Sequence, residues 1–287
     1  MASVIVVARC LAGDLRRDRI KVKQMCCFKP NPQSVSNTRI FAARRVYSRQ
    51  ILVYSMSAKA NQELAMILPV PSRRRAPDDA VKFISMEDYP NFFDHLATLF
   101  PEKKQQSKFG GGGGGFGGGP TLQVHDVGLF VASFIPSLAD FDRLDERFRI
   151  DAKIWLNRKQ YADYGFVVYQ LKQAPPAAGG DPAAAAIKSF APHPMAFEFP
   201  LQDLRQRLFF PTVHIHDGTM SQQANFDHVL YGQTNQLGFA SMKQWEESRA
   251  LIRTAIDLKK ASHLVLPGSH CYRRILKGTL PNEDTWL

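Results

Sequence analysis

Ile51-Leu52-Val53-Tyr54-Ser55-Met56 is an almost unbroken apolar run with β-branched and aromatic residues, typical of a strand that is covered on both faces. The neighbouring stretches 39–44 and 63–70 carry the same residue types between polar or turn residues, so each predicts another strand. Leu68-Pro69-Val70-Pro71 ends the third strand, because proline cannot donate to the hydrogen-bond ladder. Together the strands at 39–44, 50–58 and 63–70 predict an antiparallel meander.

Working outward, the chain shows more strands than helices. Further strands are predicted at residues 122–135, 165–171, 195–199 and 208–216. Strands come in runs and do not alternate with helices, which argues against a doubly wound fold. We therefore expect an α+β fold, with one or more largely antiparallel sheets and a few packed helices.

Three segments have helical periodicity. Capping-box spacing at Ser85 and at Ser241 marks the start of two helices, predicted over 85–100 and 241–263, and a shorter one is predicted over 137–148. The helix over 241–263 has the clearest pattern: its charges complement the helix dipole at both ends, and its apolar stripe contains Trp245, Ile252 and Ile256.

A glycine-rich tract at residues 103–120 predicts a flexible linker or loop. It contains a GxGxxG pattern but lacks the GK[ST] ending of a phosphate-binding loop. The tract separates residues 25–102, a β-meander plus a helix, from residues 121–287, a C-terminal α+β region. We expect either two small lobes joined by the tract or one sheet interrupted by it.

The net charge of +11 belongs mainly to the N-terminal segment. Residues 1–50 contain 11 Lys and Arg and two Asp, whereas the rest of the chain contains 26 basic and 24 acidic residues. A body so close to neutral lacks the basic surface that binds phosphate backbones, so we expect no nucleic-acid partner. Residues 1–24 lack a signal-peptide core and the Ser-rich, acid-poor composition of a mitochondrial presequence. We expect the physiological start at Met25, with residues 1–24 a disordered or spurious extension.

Hydropathy and cysteine usage indicate the compartment. No run approaches the roughly 20 apolar residues that a membrane helix needs, so we expect no membrane partner. The four cysteines, two of them adjacent, do not form a secreted disulfide framework in a chain of 287 residues. We expect reduced thiols and a cytoplasmic protein.

The most specific group of metal-binding residue types lies in the stretch 212–218. On a strand, His214 and His216 point to the same face about 7 Å apart and can share a divalent ion such as zinc. Asp217 can be a third ligand or can orient a histidine. His125 and Asp126 repeat the pair on another predicted strand, and His228 follows Asp227; if the sheet brings them together, a site with three or more ligands is possible. Alternatively, the histidines lie on the solvent-facing side of a strand that ends at the Asp-Gly turn.

Cys26 is a candidate nucleophile. With a start at Met25, removal of the initiator leaves Cys26 at the N-terminus, where its own α-amine can act as the base. This arrangement is typical of N-terminal-nucleophile amidohydrolases. The alternative is an ordinary thiol near a chain end.

Several stretches together resemble a bacterial protein family of unknown function. They include Met25-Cys26-Cys27-Phe28, Leu68-Pro69-Val70-Pro71 and His214-Ile215-His216-Asp217-Gly218. The resemblance covers about residues 25–287 and supports the start at Met25. It implies no catalytic residue, because no activity is known for that family.

Three functions of different classes follow from these observations. The first is a binding or interaction protein with no assignable reaction. The second is a metal-binding protein or a metal-dependent hydrolase that uses the His214, His216 and Asp217 cluster. The third is an amidohydrolase that uses Cys26. The sequence does not decide whether the chain is an enzyme.

Overall fold

The structure is a computed structural model that describes residues 27–29, 32, 34–45, 48–60, 63–100, 125–172, 188–203, 207–215, 218–234, 243–261 and 263–287. Its strands are β1 (Phe28–Lys29), β2 (Ser34–Arg45), β3 (Arg49–Ala60), β4 (Ala65–Val70), β5 (Lys82–Ile84), β6 (His125–Val127), β7 (Phe130–Ile135), β8 (Gly165–Leu171), β9 (Lys188–Phe190), β10 (Met195–Pro200), β11 (Phe209–Phe210), β12 (Gln223–Gln233), β13 (Glu246–Glu247), β14 (Tyr272–Pro281) and β15 (Thr285–Trp286). The α-helices are α1 (Phe92–Thr98), α2 (Ala152–Leu156) and α3 (Leu258–Ala261), and 3₁₀ turns cover Leu138–Arg143, Glu146–Phe148, Lys159–Asp163 and Ile252–Thr254.

Two large sheets contain most of these strands. The five-stranded sheet has the order β1-β4-β8-β7-β6 and is antiparallel throughout. The eight-stranded sheet has the order β13-β14-β12-β2-β3-β10-β5, with β9 also pairing with β3. Its pairs are antiparallel except β12 with β2, which is parallel. A short ladder joins β11 to β15. The described part is thus rich in largely antiparallel sheet and has few helices, as expected.

Two hydrophobic cores lie on opposite faces of the eight-stranded sheet. The first contains residues from both sheets, and the second contains α1 and the segment 252–265. Along β3 the side chains alternate between them: Leu52, Tyr54 and Met56 belong to the first core, and Ile51 and Val53 belong to the second. This confirms the prediction of a strand covered on both faces.

The predicted meander of three strands is wrong. β2 and β3 form an antiparallel pair, but the other neighbour of β3 is β10. β4 is buried along its whole length and pairs with β1 and β8 in the other sheet. Similar strand patterns in sequence therefore belong to different layers.

Strands from before and after the predicted linker share both sheets. β4 lies between β1 and β8, while β2 and β3 lie between β12 and β10. The regions 25–102 and 121–287 therefore do not fold as two separate lobes. The tract 103–120 lies outside the described residues.

The predicted helix over 241–263 is also wrong. Its described part contains β13, a 3₁₀ turn and the single-turn α3. The reason is tertiary packing: Trp245 belongs to the first core and Ile252 to the second, so one helical stripe cannot bury both. The Ser248 N–H donates instead to the Cys271 carbonyl, at 2.8 Å, as a ladder bond.

The other two predicted helices are shorter than expected. The segment 85–100 becomes helical only at α1, because Pro90 disfavours helical backbone at the residue before it. The segment 137–148 forms two 3₁₀ turns that still bury Phe141 and Phe148. The predicted strand over 208–216 is reduced to β11. Within the described residues, no helix is long and apolar enough to cross a membrane.

Candidate functional site

Two features of the eight-stranded sheet have potential functional chemistry: a buried polar cluster around His214 and an edge of β14 that is left unpaired by the strands the structure describes. The buried cluster is organised by Asn282, which is 1% exposed. Its Oδ1 accepts from the His214 N–H at 2.7 Å, and its Nδ2 donates to the His214 carbonyl at 2.8 Å and to the Ser221 carbonyl at 2.9 Å. One amide side chain thus pairs with both backbone groups of His214, as a neighbouring strand would.

Asp284 holds the adjacent residues in the same manner. Its Oδ1 accepts from the N–H groups of Thr212 and Val213 at 3.0 and 3.1 Å, and its Oδ2 accepts from the Tyr161 hydroxyl at 2.7 Å. Burial raises the pKa of Asp284 to about 6, against the opposing effect of these hydrogen bonds. Burial likewise raises the pKa of Tyr161. The backbone of 212–214 is therefore fixed by two side chains from the segment 282–284.

His214 and His228 form a stacked pair inside this cluster. Their rings lie 5.1 Å apart between centroids, and the Phe226 ring lies 4.4 Å from His214. The Asp227 N–H donates to His228 Nδ1 at 3.3 Å, which assigns the His228 proton to Nε2. That Nε2 lies 3.4 Å from His214 Nε2. Burial lowers the pKa of His228 to about 3, so its ring is neutral at physiological pH.

The structure separates the other predicted metal ligands from this pair. The His125 ring on β6 packs 5.0 Å from Phe83, and Asp126 is ion-paired with Lys172. No group of three or more His, Cys, Asp or Glu able to hold a metal ion is found among the described residues. Among the described residues, His125 and Asp126 therefore form no metal-binding group with His214.

Three predicted site residues, His216, Asp217 and Cys26, lie outside the described residues. The neighbouring Cys27 is 1% exposed, and its thiol donates to the Val213 carbonyl at 3.4 Å. The nucleophile hypothesis for Cys26 stays a prediction.

The second feature is the outer edge of β14. β12 pairs with it from Tyr272 to Pro281, but on its other side β13 reaches only Tyr272 and Arg273. In the part of the chain that the structure describes, no strand pairs with that side of residues 274–281.

Two hydrogen bonds show which backbone groups of β14 point outward. The Asn282 N–H donates to the Gln222 carbonyl at 2.9 Å, so even-numbered positions bond towards β12. The bond from Ser248 to Cys271 shows that odd-numbered positions bond towards β13. The N–H and C=O groups of Ile275, Lys277 and Thr279 therefore point away from the sheet, and their side chains are exposed.

A shallow groove of about 340 Å³ lies where β13 leaves this edge, lined by residues 243–246 and 273–275. Trp245, one of the lining residues, packs with its ring 5.3 Å from that of Phe210. Within the groove, Arg273 is ion-paired with Glu246 at 2.6 Å. Among the described residues, no carboxylate lies at ion-pair distance from Lys243, Arg274 or Lys277.

Comparison with known proteins gives only distant structural likeness. No family model matches the chain, and no curated protein matches it. The chain is similar in structure to baculovirus P35, with a TM-score of 0.44 and 11% identity over 88% of this chain and 95% of that chain. It is similar to the crystal structure of the caspase-8/P35 complex with a TM-score of 0.41 and 11% identity, over 87% of this chain and 94% of that chain. The resemblance to a bacterial family stays a prediction.

Proposed function

We propose that this chain is a binding protein that adds an extended segment of a partner to the outer edge of β14. The supporting observation is the row of three outward N–H and C=O pairs at Ile275, Lys277 and Thr279. An added strand gains affinity from main-chain hydrogen bonds and specificity from alternate side chains. The groove at residues 243–246 gives space for a side chain at one end of such a strand.

The buried cluster fits a structural role in such a protein. Asn282 and Asp284 direct their hydrogen bonds to the backbone of residues 212–214. His214 is 0% exposed and His228 is 1% exposed, so neither faces a substrate at the surface. The cluster therefore fixes the segment 211–215 beside β12 and leaves recognition to the sheet edge.

Lys277→Pro tests the proposal, because it removes an outward N–H without touching the ladder between β14 and β12. The matched control is Lys277→Ala, which also removes the charge but keeps the N–H. The probe is a random heptapeptide library displayed on phage and selected on the wild-type chain. We expect the selected peptides to bind Lys277→Pro about tenfold more weakly than Lys277→Ala. Equal binding to the two variants, or no selected peptide, would contradict the proposal.

Metal binding by His214 and His228 is a second candidate function, favoured by one distance. Two nitrogens bound to one tetrahedral zinc at about 2.0–2.1 Å lie about 3.4 Å apart. The two Nε2 atoms are separated by 3.4 Å, longer than an ordinary hydrogen bond of about 2.7–3.2 Å. Zinc binding through His228 Nε2 would require its proton to move to Nδ1, which would break the contact with the Asp227 N–H.

Metal analysis of tag-free protein, equilibrated with zinc and desalted, tests this candidate. We expect about one zinc ion per chain, lost in His214→Gln and retained in His125→Gln. His125 is a matched control because it packs on Phe83 in the other sheet. A wild-type protein without zinc, or equal zinc in both variants, would rule the site out.

A further inference from the structure

We infer that the segment taken up by β14 is acidic and belongs to a different protein, not to a second copy of this chain. The inference rests on the proposed function, because it concerns the chemistry of the strand that would pair with this edge. It is carried by the charges and exposed side chains around Ile275, Lys277 and Thr279.

Three cations border the open edge: Lys243, Arg274 and Lys277. Among the described residues, none of the nearby acidic side chains forms an ion pair with these three cations. On β13, Glu246 is held by Arg273 at 2.6 Å, and the exposed Glu247 accepts from the Tyr272 hydroxyl at 3.2 Å. Asp227 lies opposite Lys277 on the neighbouring strand β12, away from the unpaired edge. Glu283 interacts with Arg274 only through long-range electrostatic attraction. The outer side of the edge is thus left with an attraction for carboxylates.

Self-pairing conflicts with the same charges. If two copies of β14 paired antiparallel around Lys277, the two Lys277 side chains would lie directly opposite each other. Like charges in that position destabilise a pair of strands, and an edge lysine is a common protection against self-association. The occupant that suits this edge is therefore an acidic strand of another chain.

The side chains of β14 alternate between the two faces of the sheet, and this alternation predicts which residue types the partner strand carries at each position. Ile275, Lys277 and Thr279 share one face, and Ile275 is 50% exposed. An antiparallel partner places a carboxylate opposite Lys277 and an apolar side chain two residues later, opposite Ile275. The next partner residue lies opposite Arg274, on the other face, where a second carboxylate fits.

The probe is the capped peptide Thr-Val-Thr-Glu-Val-Val-Glu, and its control has lysine in place of both glutamates. Binding is measured by isothermal titration calorimetry at low and high salt. We expect the acidic peptide to bind about tenfold more tightly than the basic one at low salt, with the difference reduced at about 1 M salt. The double variant Arg274→Gln/Lys277→Gln should reduce the preference to about twofold. Lys29→Gln, at an exposed position on the other sheet, should leave it unchanged.

The outcomes separate this inference from the proposed function. Binding of both peptides with equal affinity, weakened by Lys277→Pro, would overturn the acidic preference and leave strand addition standing. Binding of neither peptide would overturn both. A concentration-dependent dimer in sedimentation equilibrium, disrupted by Lys277→Pro but not by Lys277→Ala, would show that the occupant is a second copy and overturn the inference.

Discussion

Replacing Asp284 with asparagine is expected to stabilise the protein at neutral pH. The substitution keeps the shape of the side chain and its contacts. The amide oxygen can still accept from the N–H groups of Thr212 and Val213, and the amide nitrogen can donate to the Tyr161 oxygen. What changes is the negative charge, which the carboxylate must carry in a partly buried position where desolvation opposes it.

The magnitude follows from the raised pKa of Asp284. A raised pKa means that the folded state holds the proton more tightly than the unfolded chain does. The stabilisation from Asp284 is therefore fully present below its unfolded pKa of 3.8 and is lost as the pH rises through about 6. A pKa difference of this size corresponds to about 3 kcal/mol, since one unit is about 1.4 kcal/mol. The amide of asparagine does not ionise in this pH range, so the variant does not lose this stability as the pH rises.

Urea unfolding followed by tryptophan fluorescence measures the effect. We expect the free energies of unfolding of wild type and Asp284→Asn to agree near pH 4 and to differ by about 3 kcal/mol above about pH 7. Asp88→Asn is the matched control, because Asp88 is exposed and its replacement should keep the wild-type pH dependence. If Asp284→Asn is less stable than wild type at neutral pH, or if its stability falls with pH as in the wild type, the reasoning is refuted.

Two further substitutions test other contacts, again by urea unfolding. Asn282→Ala leaves the two buried backbone groups of His214 and the carbonyl of the exposed Ser221 without their partner, and should cost about 3–5 kcal/mol. The exposed Asn225→Ala should cost less than about 0.5 kcal/mol, and similar values for the two would contradict the role of the amide. Gly128→Ala should cost more than about 2 kcal/mol, because Gly128 has a φ of +64° and an added Cβ would lie 2.3 Å from His193 Nε2. Gly268→Ala, where a Cβ meets nothing within 4 Å, should be nearly neutral, and a Gly128 variant as stable as this control would be inconsistent with the contact.

Strands with a local signal could be predicted from the sequence. β8 has the predicted bounds, Gly165–Leu171, because its continuous apolar residues are buried in the sheet interior. β3 was predicted for the same reason. β12 and β14 were not predicted, although in each a buried residue often alternates with an exposed one.

The order of the strands could not be predicted, because it depends on pairing between distant segments. The pattern of β4 resembles that of β3, yet β4 belongs to the other sheet. The helix predicted over 241–263 is wrong for the same reason, because contacts with distant segments decide its structure. Its caps and charges are local signals, whereas the separation of Trp245 and Ile252 into different cores is a property of the whole fold.

The sequence marks His214 and His228 as possible ligands, but not their contact with each other, which crosses 14 residues, nor the contact of His214 with Asn282, which crosses 68. The inward position of His228 follows from the alternation of Ala224, Phe226 and Leu230 on β12, and that signal could have found it. No periodicity marks Asn282, because it follows the end of β14 and acts through its side chain.

Because the two regions share strands, they are held together by strand pairing and packing as well as by the covalent connection between residues 100 and 125. A chain cut there would keep β4 hydrogen-bonded between β1 and β8, and β2 between β3 and β12. Each fragment alone would lack neighbours for its central strands and would expose apolar residues of both cores. Two fragments produced together should therefore assemble into one particle, so that each piece acts as the folding template of the other.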